Sequence, residues 1–182
     1  MILNVVRHAR RTIGLIWIAL FLVLAGFSLL TNLAPLTGRE LFIIIGGSME
    51  PSIPIGSLVM ATRTDALTVA VGDVVTIRAD NGVVYTHRVS RVVDLPEGRF
   101  FETKGDANER PDGGLVPARA IVGTAAQYLP YAGYARSFLS TVTGLVAAVA
   151  GLGALLLLYV LLGLLVPSAP AAPAPARKPA GP

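Results

Sequence analysis

The chain has 182 residues, of which 53% are hydrophobic and only 14% charged, with a net charge of +4 and no cysteine. That composition is too apolar for a disordered chain or an ordinary soluble domain, and the length allows one domain with anchors. The missing cysteine excludes a disulfide framework, a thiol nucleophile and Cys-ligated zinc or iron–sulfur centres.

The pI near 9.9 comes from the flanks. Arg7, Arg10 and Arg11 precede a first apolar run, and Arg177 and Lys178 follow a second. The other ten basic residues and all eleven acids fall between Arg39 and Arg136, leaving the middle at −1 and the flanks at +5. There is no basic face of the kind a nucleic acid requires.

The first run, Ile13–Leu30, holds eighteen residues without a charge, and the uncharged stretch continues to Leu33. About 20 apolar residues cross a bilayer core of about 30 Å, so 13–33 is read as a transmembrane helix. The arginines make 1–12 a cytoplasmic tail, because basic residues beside a span favour the cytoplasmic side. A cleavable signal peptide is the competing reading. Its apolar region would exceed the usual length of about 7–15, and Asn32-Leu33-Ala34 is a poor small-x-small site.

Residues 34–141 show no helical period and read as a β-rich domain. Leu41–Ile45 is a buried strand or an apolar lip on the bilayer, with the strand favoured. Ser57–Thr64, Asp73–Ala79, Val83–Asp94, Arg99–Lys104 and Ala120–Tyr128 are further strands. Asp80-Asn81-Gly82 between two β-branched runs is a hairpin signal. Leu95-Pro96-Glu97-Gly98 is a second turn.

Three segments of this domain carry candidate chemistry. In Gly46-Gly47-Ser48-Met49-Glu50-Pro51 the glycines free the backbone around a serine, and exposed amides beside a serine supply a nucleophile and an oxyanion site together. Standing alone, such a turn is usually only a turn. His8 lies in the tail, so His87 is the one histidine available to the middle domain. Imidazole is neutral near physiological pH and suits the role of base. The loop Thr103–Gly114 is dense in Gly, Asp and Asn, and an acid in it, Asp106 or Asp112, is able to hold an imidazole in the useful tautomer. The bland alternative is that both aspartates make Asx-turns. A Ser-Lys dyad through Lys104 competes with histidine, but a lysine base must lose its proton through desolvation.

The second run, Leu145–Val166, has twenty-two residues without a charge. The span is read as 142–166, and its lack of a polar face argues against a buried core helix. Two spans return the C-terminus to the inside, in agreement with Arg177 and Lys178. Residues 167–182, Pro/Ala-rich, read as a disordered cytoplasmic tail.

Four boxes in this order behind an N-terminal anchor resemble the signal peptidase I family, in its Ser-His branch shared by archaea, some Gram-positive bacteria and the endoplasmic reticulum subunit. Gly47-Ser48-Met49-Glu50-Pro51 is similar to the nucleophile box. Gly72-Asp73-Val74-Val75 resembles a strand opening of the family, and His87-Arg88-Val89 falls where the bacterial Ser-Lys branch has lysine-arginine. Thr103-Lys104-Gly105-Asp106-Ala107-Asn108, with Asp112 beyond, resembles the acidic box. Two departures lie outside these candidates: Gly56-Ser57 stands where Gly-Asp is usual, and Ser52 where Thr is common.

The resemblance implies a mainly β extracytoplasmic catalytic domain flanked by two transmembrane α-helices. It implies Ser48 as nucleophile, His87 as general base, Asp112 as triad acid and Asp106 as a further residue important for activity. The expected activity is removal of signal peptides from secretory preproteins at small-x-small sites, with no cofactor or metal. The bilayer is the expected environment, the secretion translocon is a candidate partner, and nucleic acid is not a partner. The expected location is the cell membrane, multi-pass, with the catalytic domain outside and both termini inside. The oxyanion is expected on backbone N–H groups including that of Ser48, with the Ser52 hydroxyl as a candidate. Two alternatives remain: a non-catalytic tethered β domain that binds surface proteins, and a narrow-specificity peptidase of the same family. A sortase-type transpeptidase is excluded for want of cysteine, and one external histidine makes a poor metal site.

Overall fold

The structure, a computed structural model, describes residues 1–165. Val166 and the Pro/Ala-rich stretch 167–182, with Arg177 and Lys178, lie outside the described residues.

Helix α1 runs over Ile2–Leu33 and α3 over Val142–Leu164. Both are long and apolar enough to cross a membrane. Arg7, Arg10 and Arg11 lie in the first turns of α1. One structural unit joins residues 1–23 with residues 149–165. In it the Trp17 indole N–H donates to the Leu152 carbonyl at 2.9 Å, and the Arg10 guanidinium lies 4.7 Å from the centre of the Tyr159 ring. Hydrogen bonds between helices matter here because lipid offers a polar group no alternative partner.

The second unit, Leu24–Ala148, holds the β domain. Its strands are β1 (Arg39–Ile43), β2 (Leu58–Thr62), β3 (Val74–Arg78), β4 (Val84–Leu95), β5 (Gly98–Lys104), β6 (Val116–Pro117) and β7 (Ile121–Leu129). They form one sheet in the order β1-β2-β7-β3-β4-β5-β6, every neighbouring pair antiparallel. The sheet is curled: Glu40 on β1 and Arg78 on β3 meet at 3.2 Å although two strands separate theirs. All six expected strands are present, and the fold is the expected β domain with an apolar helix at each end. The Asn81-Gly82 hairpin joins β3 to β4, with Gly82 at φ +82 and the Val83 N–H donating to Asn81 Oδ1 at 3.0 Å. Positive φ is what this turn demands and glycine allows.

Besides two 3₁₀ turns, at Ala34–Thr37 and Ala118–Ala120, the two-residue β6 and a short helix α2 over Ala132–Leu139 were not expected. Eight residues show barely two turns of any period, so α2 leaves little trace in the hydrophobic pattern.

Alternation along the strands sorts side chains into two layers. One core holds Val69, Val75, Ile77, Val89, Phe101 and Val116. A second holds Ile44, Met49, Ile53, Val59 and Ala125. Between Val75 and Ile77, Thr76 is buried on the other face and hydrogen-bonds Thr86 at 3.0 Å.

Candidate active site

The Gly46–Pro51 turn is fixed from both ends. Ile44 exchanges backbone hydrogen bonds with the segment before β2: its N–H donates to Ser57 O at 2.9 Å, and its carbonyl accepts from Gly56 at 2.8 Å. Inside this closed loop the Glu50 N–H donates to Gly47 O at 3.0 Å and the Ile53 N–H to Met49 O at 2.8 Å. Met49 and Ile53 are 1% and 3% exposed. Burial of Met49 in the second core pins the residue next to Ser48, which is left half-buried at the surface.

His87 sits on β4 opposite Val75 of β3. Its ring lies edge-on to Tyr85, two residues back on the same face, with centroids 5.1 Å apart. His87 Nε2 is 3.0 Å from Ser48 Oγ, and Nδ1 is 2.5 Å from Asp112 Oδ2. A carboxylate only accepts, so these partners require the tautomer with the proton on Nδ1. The Ser48 hydroxyl then donates to Nε2. The His87 and Asp112 side chains are 11% and 23% exposed.

Asp112 is held by β5. Its N–H donates to Thr103 O at 2.8 Å, and the Thr103 hydroxyl donates to Asp112 Oδ2 at 2.7 Å. The loop between them docks on the serine turn, with the Ala107 N–H donating to Ser48 O at 2.9 Å. Gly105 makes this approach possible, since a Cβ there would lie 2.6 Å from Ser48 O and 2.9 Å from Ser48 Cβ.

Asp106 takes a different place. Arg88 grips it with two donors, Nε to Oδ1 at 2.8 Å and Nη2 to Oδ2 at 2.6 Å. Arg88 Nη1 also donates to Gly72 O at 2.8 Å. The Arg88 hydrogen bonds hold the Asp106 carboxyl below its ordinary range. Burial opposes this, and the Ser52 hydroxyl and the nearby charges of Arg88 and His87 add to the lowering. The same pair raises Arg88, chiefly through the hydrogen bonds to Asp106. Burial, with the Asp112 charge second, pushes the Tyr85 phenol upward. Of the four expected site residues, Ser48, His87 and Asp112 come together in one line, and Asp106 stands beside them on Arg88.

The residue reading gave no role to Thr103, Arg88 or Tyr85. Arg88 and Thr103 carried only the family resemblance, and their partners lie in loops whose course no periodicity reveals. A cavity of about 190 Å³ lies behind the line, bounded by Ile77, Tyr85, Asp112, Leu115 and Val116. A groove of about 530 Å³ touches none of the three residues. It is lined by Leu30, Leu41, Leu58, Met60 and Leu129, with Arg39 and Tyr128 among its other residues. Among the described residues, no cluster of His, Asp and Glu is arranged to hold a metal ion.

No family model matches the chain. Among curated proteins it is similar to the signal peptidase complex catalytic subunit SEC11C of Canis lupus familiaris and of Homo sapiens. Each is 33% identical over 113 residues, which cover 56% of this chain and 59% of the relative. The signal peptidase complex catalytic subunit SEC11 of Schizophyllum commune is 28% identical over 134 residues, 60% of this chain and 67% of the relative. Signal peptidase I W of Bacillus subtilis is 35% identical over 80 residues, 43% of this chain and 42% of the relative. The chain thus spans about three fifths of the length of the SEC11C relatives it matches. Mammalian, fungal and bacterial relatives all bear the name of a signal peptidase, and the chain is similar to them over the stretch they share.

Proposed function

We propose that the chain is a membrane-bound serine endopeptidase that removes N-terminal signal peptides from secreted preproteins. One observation carries the mechanism: His87 lies within hydrogen-bond distance of Ser48 Oγ on one ring nitrogen and of Asp112 Oδ2 on the other. Ser48 Oγ attacks the scissile carbonyl while His87 Nε2 takes its proton. His87 then protonates the leaving amine, and water resolves the acyl-enzyme by the reverse sequence. Asp112 keeps the Nδ1 proton in place and stabilises the imidazolium. The backbone N–H of Ser48 serves the oxyanion. The Ser52 hydroxyl is the candidate side-chain donor beside it.

The substrate class follows from where the serine lies. β1 is an edge strand of the sheet and ends five residues before Ser48. An extended peptide adding to that edge is delivered to the nucleophile, its main chain giving affinity and alternate side chains giving specificity. The outer ends of two spans hold the domain where a cleavage site leaves the bilayer. By the arginines of the first turns of α1, that face is the extracytoplasmic one and both termini are inside.

The test is precursor processing by Ser48→Ala and His87→Ala in the full chain. Each is expected to lower turnover roughly 10³-fold or more. Processing at the wild-type rate by either variant overturns the mechanism. Digestion of the segment around Arg177 by protease added to intact cells overturns the topology.

A further inference from the structure

We infer that Thr103 is a positioning residue for the Ser48–His87–Asp112 line: its hydroxyl fixes Asp112 and limits how strongly that carboxylate draws on the histidine. This rests on the peptidase reading above.

Thr103 is fully buried, at 0% exposure, on β5 opposite Val89 of β4. Its carbonyl and its hydroxyl both face Asp112, the carbonyl accepting the Asp112 N–H at 2.8 Å and the hydroxyl donating to Oδ2 at 2.7 Å. Oδ2 is the oxygen that also accepts from His87 Nδ1. Two donors therefore share one carboxylate oxygen. Thr103 does two things through that oxygen. The clamp of side chain and main chain sets the Asp112 rotamer, and so aims the acceptor at the imidazole. The hydroxyl also stabilises the carboxylate charge, which weakens its pull on the histidine proton. Beside this pair the β4–β5 register slips, between Val89 and Arg91, and the Ser90 hydroxyl donates to Glu102 O at 3.0 Å. Bulges of this kind re-aim side chains next to active sites.

The other groups facing the line from neighbouring elements are few. Tyr85 of β4 presents its ring edge to His87 and feels the Asp112 charge. Asp106 exchanges a weaker charge interaction with His87, and its own charge is taken up by Arg88. None of them donates to Asp112, which leaves the Thr103 hydroxyl as the side-chain donor that tunes it beside His87 itself.

A β-branched residue buried in a strand is also good packing, so the test uses a variant that keeps the shape. Thr103→Val retains the branch and removes the hydroxyl, while Thr103→Ser restores it. With the full chain reconstituted in bilayers and a synthetic precursor peptide, Thr103→Val is expected to lower kcat roughly tenfold with KM within about twofold. Thr103→Ser is expected to recover most of the lost kcat. The second readout needs no turnover. The chain has two histidines, so ¹⁵N-histidine labelling yields one set of ring signals from His8 on α1 and one from His87. The His87 ring signals of Thr103→Val are expected to move in chemical shift, because Nδ1 shares Asp112 Oδ2 with the lost hydroxyl, and those of Thr103→Ser to match wild type. Unchanged kcat and unmoved His87 ring signals in a folded Thr103→Val overturn the inference, as does failure of Thr103→Ser to rescue. Full activity of Ser48→Ala overturns the peptidase reading instead, and leaves the His87 ring signals as an independent measure of Thr103.

Discussion

Arg88 and Asp106 form a two-pronged ion pair that ties β4 to the loop leading to Asp112. His87 and Arg88 are adjacent on a strand, and neighbouring strand residues point to opposite faces. One serves the serine line while the other braces the loop that supplies its acid. Asp106 is therefore held at one remove from the histidine, on a scaffold that fixes the turn from Gly105 to Asn108, whose N–H donates back to Gly105 O at 3.0 Å.

A pH dependence of stability follows. The folded-state Asp106 carboxyl is lowered, chiefly by the Arg88 hydrogen bonds. A lowered carboxyl contributes stability that is fully present above its unfolded value, near 3.9, and is lost as pH falls through the folded value. Arg88 is more than a third exposed, so solvent screening keeps the pair modest, at about 1 kcal/mol. Urea midpoints of wild type and Asp106→Asn are expected to differ by that amount at pH 7 and pH 5, and the gap to close toward pH 2. A gap that persists in strong acid would assign the effect to packing.

Gly105→Ala tests the docking of the loop on the serine turn. The added Cβ would meet backbone, the Ser48 carbonyl at 2.6 Å, and not a side chain free to swing away. The loop must shift, carrying with it the Ala107 bond to Ser48 O and the line to Asp112. The variant is expected to lose about 2 kcal/mol of stability and to process precursor at least tenfold more slowly. Circular dichroism melts and a cleavage assay measure the two effects. Wild-type cleavage by this variant would mean the loop and the serine move independently.

Much of this was legible in sequence for definable reasons. Two runs without charge and a set of β-branched stretches separated by Gly, Pro and Asn carry their own periods, and they gave the helices and six strands. The serine and histidine candidates stood out because the middle domain holds one histidine and one Gly-Gly-Ser turn. What did not show was pairing at a distance. Nothing in the acidic loop distinguishes Asp106 from Asp112 until the chain is folded, when Arg88 takes the first and Thr103 takes the second. The helix α2 was invisible for its shortness, and the start of α1 because charged residues continue a helix as readily as they end a span.

The contact between the two apolar helices has its own test. Trp17→Phe keeps the ring and its stack on Phe21, whose centroid is 5.4 Å away, but removes the donor to Leu152 O. Polar contacts between membrane helices contribute about 0.6 kcal/mol on average, so a drop in Tm of a few degrees in detergent is expected. The chain has no cysteine, and one introduced on each helix reads their contact by disulfide yield without background. Trp17→Phe should lower that yield, and an unchanged yield and Tm would show that apolar packing alone holds the pair.

Ser57 predicts the opposite sign. It is fully buried just before β2, and its hydroxyl has no hydrogen-bond partner among the described residues. Its main chain is committed, the carbonyl to Ile44 and the N–H to Pro54 O at 3.1 Å, so the side chain alone is in question. An unpaired buried hydroxyl costs about 1–3 kcal/mol of desolvation, and removing it relieves that cost. The space left by one oxygen is small, and the cavity term of a large-to-small change is correspondingly slight. Ser57→Ala is therefore expected to be neutral or to stabilise the domain by about 1 kcal/mol, with processing unchanged because the Ile44–Ser57 bond that closes the serine loop is main-chain. Thermal unfolding of the full chain measures it. A loss of more than about 1 kcal/mol would mean that the Ser57 hydroxyl is paired in solution.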